Sequence, residues 1–213
     1  MHVILISWEF PPRTVGLISR DTEKIARGLV KSECKVDVVT WDDRLTRTEE
    51  HKEGFRVHRV ANPVRTHVNI VTWALTLNTE LERIAADIIY ESDDQAKLVH
   101  ASEWICVPAA IQLKKTLHTP YVLSLYSTES ERSLHGGSLS GAITYLEKSG
   151  SLQAAKIIVD GMTRASLVQK IYGVPADRLA ILNVGTASIS KLIEQYRASL
   201  SSQGLREEPS DTQ

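Results

Sequence analysis

A chain of 213 residues with 42% hydrophobic and 24% charged side chains can bury a sizeable core and falls within the ordinary range of globular proteins. With 25 Lys and Arg against 26 Asp and Glu, the formal charge is -1. That supplies no basic face for nucleic acid or an anionic membrane, so neither is an expected partner.

Val3 to Ser7 is an unbroken apolar run, the pattern of a strand buried on both faces of a parallel sheet. It is too short, and too soon followed by Glu9 and Pro11, for a signal peptide or membrane span, which implies a cytoplasmic protein. After the Pro11-Pro12 loop, Ile18, Thr22, Ile25 and Leu29 share one helical face, with Ser19 as the expected N-cap and Asp21 and Glu23 in the first turn. Lys35 to Trp41 is the next strand. Phe55 to Val60 follows a charged stretch, and its period-two alternation places it near a sheet edge.

Residues 69–92 return apolar side chains at helical spacing, interrupted by Asn78. Leu98 to Ala101 reads as a strand, and a helix is expected from about Pro108 to Leu117. Pro120 to Leu125 is a buried strand that leads into a long polar loop, Tyr126 to Leu139. A helix from about Ala142 to Leu152, a strand Lys156 to Val159, a helix Met162 to Tyr172 and a strand Leu179 to Leu182 complete the alternation. The fold class is therefore α/β, a single Rossmann-like domain over residues 1–203 with a mainly parallel sheet and helices on both faces. A terminal helix is expected within 186–203 and a disordered tail over 204–213. Cys34 and Cys106 lack CxxC spacing and a histidine cluster, so buried free thiols are expected, with neither a disulfide nor a metal site.

Three segments carry a resemblance: the loop Ser7 to Leu17, the strand end His100 to Trp104, and Tyr172 to Arg178 before the last strand. Together, in order over residues 1–185, they resemble the N-terminal, acceptor-side domain of a GT-B glycosyltransferase of the glycogen synthase type (the family 4/5-like group). The family opening, roughly S-x-E-x-x-P-x-x-x-G-G, is met by Ser7, Glu9, Pro12 and Gly16, with Leu17 in place of the second glycine. Where the family has H-x-H-D-W, this chain has His100-Ala101-Ser102-Glu103-Trp104, and Tyr126 stands at the family's next histidine. Asn183-Val184-Gly185 transposes the family's Asn-Gly-Val.

The catalytic candidates are Tyr126 and Glu103, which stand at family positions, and Glu129, in a loop on the same expected sheet edge; Glu103 and Glu129 read alternatively as acids on a solvated rim. Substrate contacts are expected from Glu9, Gly16, Leu17, Trp104, Tyr126, Arg132 and His135. The resemblance implies no cofactor of the chain's own: a nucleotide-sugar would be held only by a donor domain from a partner. A glucan, a donor-domain partner chain or a second copy are the expected partners, and little or no transfer by the chain alone is expected, since the leaving diphosphate needs positive charge and amide donors.

Plainer roles stand beside these. Gly16 is either a phosphate-approach glycine or a turn glycine. Arg13 and Arg20 meet an anion or lie solvated at the surface, and Trp8, Trp41 and Trp104 stack on a sugar or pack at the core rim. His100, at the end of a buried strand, reads as structural. A non-catalytic carbohydrate-binding or protein-interaction module is the alternative to the transferase. The terminal helix separates the two: lying across the cleft it would close a remnant, and lying away it would leave room for a partner.

Overall fold

Strand β1 (His2–Ser7) is buried at every position. It lies inside a sheet with neighbours on both sides, which is why its sequence carries no alternation. The computed structural model describes residues 1–43, 47–50, 53–133, 136–183 and 188–204. Around β1, the strands β2 (Lys35–Trp41), β3 (Arg47–Glu50), β4 (Arg56–Val60), β5 (Lys97–Ser102), β6 (Tyr121–Ser124), β7 (Lys156–Val159) and β8 (Leu179–Ile181) take the order β3-β4-β2-β1-β5-β6-β7-β8. Among the described strands, every pairing is parallel except β3 against β4.

Alternate residues of each central strand feed two cores. Helices α1 (Leu17–Lys31) and α7 (Ile189–Gly204) cover the face carrying Leu5, Val38, Leu98 and Val122. Helices α2 (Ile70–Glu91), α3 (Val107–Leu117) and α6 (Met162–Tyr172) cover the face carrying Ile4, Val39, Val99 and Leu123. The α/β architecture with helices on both faces is therefore as expected. Helix α5 (Ser138–Gln153) packs on α3 and α6. Asn78, the polar interruption in α2, is a clamp: its amide donates to the Ala74 and Ile105 carbonyls at 2.6 Å each and accepts from the Ala109 N–H at 2.9 Å.

Helix α7 packs on the sheet face beside α1, against β5 and β6. A Cβ added at Gly28 would stand 2.9 Å from Ile189 Cγ1, so this close crossing relies on the absent side chain. Its other anchor is Tyr196, whose hydroxyl lies 2.6 Å from His100 Nδ1, while His100 Nε2 lies 2.7 Å from Ser124 Oγ. Burial pulls the His100 pKa down to about 4, so the ring is a neutral, fully partnered structural group.

Four local expectations change. Helix α1 begins at Leu17 with Gly16 as N-cap, because the loop before it is already tied down. Ser19 therefore sits inside the helix and donates to the Arg13 carbonyl at 3.1 Å. The charged stretch after β2 contains the edge strand β3, whose Glu49 pairs with Arg59, so β4 lies near the sheet edge as expected but has Arg59 buried instead of a face turned to solvent. The polar loop after β6 contains a short helix α4 (Glu129–Arg132), and α5 starts at Ser138. Cys34 is only partly buried, whereas Cys106 is fully buried. The tail from 205 onward, His135 and the segment 184–187 lie outside the described residues.

Away from the sheet's carboxyl edge, β1, β2 and β4 share a buried ion network. Asp37 accepts from His2 Nε2 at 2.7 Å, His58 Nε2 at 2.6 Å and Arg56 Nε at 2.8 Å, and its side chain is wholly inaccessible. The second ring nitrogens of the two histidines reach Ser92 Oγ at 2.8 Å and Thr48 Oγ1 at 3.0 Å. Burial raises the Asp37 pKa, but the three donors outweigh it and hold the carboxyl far below the usual aspartate range.

Candidate functional site

The strand order reverses at β1, with β2 on one side and β5 on the other. Such switch points open a crevice outside the carboxyl ends of the strands. The loop after β1 carries a cis Pro11-Pro12 bond and is held by Arg59 Nη2, which donates to the Pro11 carbonyl at 2.6 Å. Glu9, fully buried, turns back under this loop and accepts the N–H of Val15 at 2.5 Å and of Gly16 at 2.9 Å. The two amides that could face a phosphate are thus satisfied from within the chain. Gly16 is exposed, a Cβ there would make an ordinary 3.5 Å contact with Glu9 Oε1, and Leu17 is 70% exposed.

At the end of β5, Glu103 is buried with φ 66° and ψ 167°. That is a region almost reserved for glycine, which costs about 1–3 kcal/mol and persists only where surroundings enforce it. The enforcement is visible: its N–H donates to the Ser124 carbonyl at 2.9 Å, and its Oε1 accepts the N–H of Tyr126 at 2.5 Å and of Ser127 at 3.1 Å. Burial drives the Glu103 pKa up to about 7 against the pull of Arg132 and those two amides. A carboxyl poised there can hold or release a proton at neutral pH.

Arg132, at the end of α4, gathers three carboxylates from separate elements. Its guanidinium lies 3.6 Å from Glu103 Oε2 and 3.2 Å from Glu129 Oε2, and pairs directly with Glu147 of α5. Glu147 is wholly buried, bonds the Tyr172 hydroxyl and accepts the Glu129 N–H at 2.9 Å. Glu103, Tyr126, Glu129 and Arg132 therefore form one cluster. Its α4 scaffold is set by a capping box in which Thr128 and Glu131 cap each other.

A Glu103→Gln variant removes one titration from this cluster. With a folded pKa above the ordinary 4.5, Glu103 favours the folded state most below that value, and this contribution is lost as pH rises through about 7. The variant should therefore gain stability relative to the native chain between pH 5 and pH 8, by about 3 kcal/mol at the upper end. Parallel stability profiles for the two proteins over that range would show that Glu103 titrates normally.

Tyr126 lies on the floor of a groove with about 80 Å³ of space, lined also by Leu17, Asp21, Ser124, Asp160 and Asn183. Its hydroxyl is sealed from solvent and faces Asp21 without a hydrogen bond of good geometry. Burial, then the negative charges of Asp21, Glu103 and Glu9, push the phenol well above its usual range.

The remaining candidates fall elsewhere. Trp104 is 6% exposed and packs with Ala74, Ile105 and Ile143, as core. Trp8 and Trp41 pack edge-on against Trp73, with centroids 6.4 and 4.8 Å apart, and Arg13 stacks 3.6 Å above Trp41. Arg20 is exposed. Among the described residues, no group of three His, Cys, Asp or Glu could hold a metal ion, and no helix is long and apolar enough to cross a membrane.

Sequence reasoning missed Glu147 and Asp160 and took Asp21 only as a helix-dipole residue. For Glu147 a signal existed: it stands four residues after Ile143, on the buried stripe of α5. Asp21 and Asp160 carry no such signal, since what makes them neighbours is the parallel pairing of strands distant in sequence.

Residues 18–185 match the family model described as Glycosyl transferase 4-like domain. The chain is 29% identical over 188 residues to an uncharacterized glycosyltransferase of Methanocaldococcus jannaschii, covering 87% of this chain and 46% of that protein. It is 26% identical over 160 residues to a glycogen synthase of Mycobacterium tuberculosis, covering 68% of this chain and 37% of that one. The chain thus spans less than half the length of these two relatives. In fold it resembles a sucrose-phosphate synthase of Thermosynechococcus elongatus, with a TM-score of 0.67, 14% identity, and coverage of 84% of this chain and 47% of that one.

Proposed function

We propose that this chain, which belongs to the glycosyl transferase 4-like domain family, is the acceptor-side half of a GT-B sugar transferase of the glycogen synthase type. On this reading a second, donor-binding body completes the enzyme, and the chain alone transfers little or no sugar. The observation that carries it is the Glu9 carboxylate seated on the Val15 and Gly16 amides. With both amides occupied by the Glu9 side chain, the loop after β1 does not offer them to a nucleotide diphosphate. What the edge does offer is the carboxylates of Asp21 and Asp160 around the groove, suited to sugar hydroxyls. Helix α7 supports the same reading, because it lies on the sheet face with α1 and leaves the groove beside Leu17 open.

Titration calorimetry of the chain with UDP-glucose, ADP-glucose and glycogen tests this. Glycogen binding without nucleotide-sugar binding is expected. Tight binding of either nucleotide-sugar, or no binding of glycogen, would sink the acceptor-side assignment.

A further inference from the structure

We infer that Tyr196 and His100 are positioning residues for Glu103, linking the terminal helix α7 to its geometry through Ser124. The inference goes beyond the acceptor-side reading and does not rest on it, since no ligand enters it.

The link is continuous in hydrogen bonds. The Tyr196 hydroxyl, on a wholly buried residue of α7, lies 2.6 Å from His100 Nδ1, and His100 Nε2 lies 2.7 Å from the Ser124 hydroxyl at the end of β6. The carbonyl of the same Ser124 accepts the Glu103 N–H at 2.9 Å. Just beyond it, the N–H groups of Tyr126 and Ser127 donate to Glu103 Oε1. One segment therefore grips Glu103 at both its main chain and its carboxylate, and that segment starts from the residue His100 holds.

Two features set this apart from an ordinary core contact. The backbone of Glu103, with φ 66° and ψ 167°, relaxes unless its surroundings enforce it, so a small displacement at the end of β6 reaches it. The link also stays neutral while Glu103 titrates, because burial holds the Tyr196 phenol well above its ordinary range and the His100 ring down at about 4. A neutral imidazole has one donor and one acceptor nitrogen, so loss of the partner at either end leaves a buried ring nitrogen unsatisfied. The ring then shifts, and Ser124 shifts with it.

The titratable and charged groups facing Glu103 are Arg132 of α4, Glu147 of α5, Tyr172 of α6, Tyr126 and Cys106. The variants that test the link leave all of them in place, so a shifted titration reports geometry rather than a removed charge.

The measurement is the Glu103 carboxyl titration, followed by NMR on the full chain labelled with carbon-13 at the glutamate carboxyls and assigned by its absence in Glu103→Gln. Tyr196→Phe keeps the ring and drops only the hydroxyl. It should lower the Glu103 midpoint by about one pH unit, a tenfold change in ionisation, because a loosened seat admits water to a carboxyl whose pKa is raised mainly by burial. Ser124→Ala should give a shift of the same size, and the double variant no more than either alone, as for two cuts in one chain. Leu192→Ala trims a buried side chain of α7 that lies outside the hydrogen-bonded link, and should lower the unfolding temperature while leaving the midpoint in place. An unmoved or raised midpoint in folded Tyr196→Phe overturns the proposal. So does an equal shift in Leu192→Ala, which marks general loosening of the helix, or additive shifts in the double variant. Should Tyr196→Phe fail to fold, the midpoint in Ser124→Ala decides by the same criterion.

Discussion

Replacing Glu147 by alanine is expected to destabilise the protein by about 3–5 kcal/mol, the range for breaking one side of a buried ion pair. For a chain of this size that corresponds to a fall of about 10 °C in unfolding temperature. Glu147 is the one group that touches Arg132, the Tyr172 hydroxyl and the Glu129 N–H together. Its removal leaves Tyr172 and the first turn of α4 without partners in a region closed to water, and opens a void between α5 and α6. Because α4 carries Arg132 to Glu103, the damage should spread to the candidate site. Loss of glycogen binding alongside the stability loss is therefore expected. A change below about 1 kcal/mol in a denaturant titration would show that Arg132 is held by Glu129 and Glu103 alone.

The second large effect is expected at the opposite end of the sheet. Asp37→Ala should cost about 3–5 kcal/mol, because His2, His58 and Arg56 all converge on that carboxylate and two of the three are buried. The same network predicts how the native protein responds to acid. The folded pKa of Asp37 lies below its unfolded value, so the stability it contributes is fully present above about pH 4. That contribution is lost as pH falls below the ordinary aspartate range. The alanine variant should show a shallower decline over that acid range in circular dichroism melts. Equal acid slopes in the two proteins would mean that other carboxylates govern acid unfolding.

These two networks show where reading the chain ends. The run Val3 to Ser7, the stripe of α1 and the alternation of strands and helices are local periodicities, so the α/β class and helices on both faces could be read directly. Ser19 misled because its hydroxyl suits a cap, yet Glu9 holds the loop amides and lets the helix start at Leu17. The strand β3 escaped notice because Arg47-Thr48-Glu49-Glu50 has no apolar member and is stabilised by pairing with β4. Glu103, Tyr126, Glu129 and Arg132 were legible as loop residues on one sheet edge. Trp104 follows the plainer of its two readings and packs in the core, so its place among the substrate contacts does not hold.

By itself, the sequence determined the layer architecture, the edge at which the loops gather and the family, all properties of short-range pattern and ordered motifs. Only the tertiary structure decided which charges meet. Asp37 draws on three strands, Arg132 on three carboxylates from separate elements, and Tyr126 on a field set by Glu9, Asp21 and Glu103. The physical reason is that electrostatic energy depends on distance and burial, and both are fixed by parallel crossovers that bring residues more than a hundred positions apart to one edge.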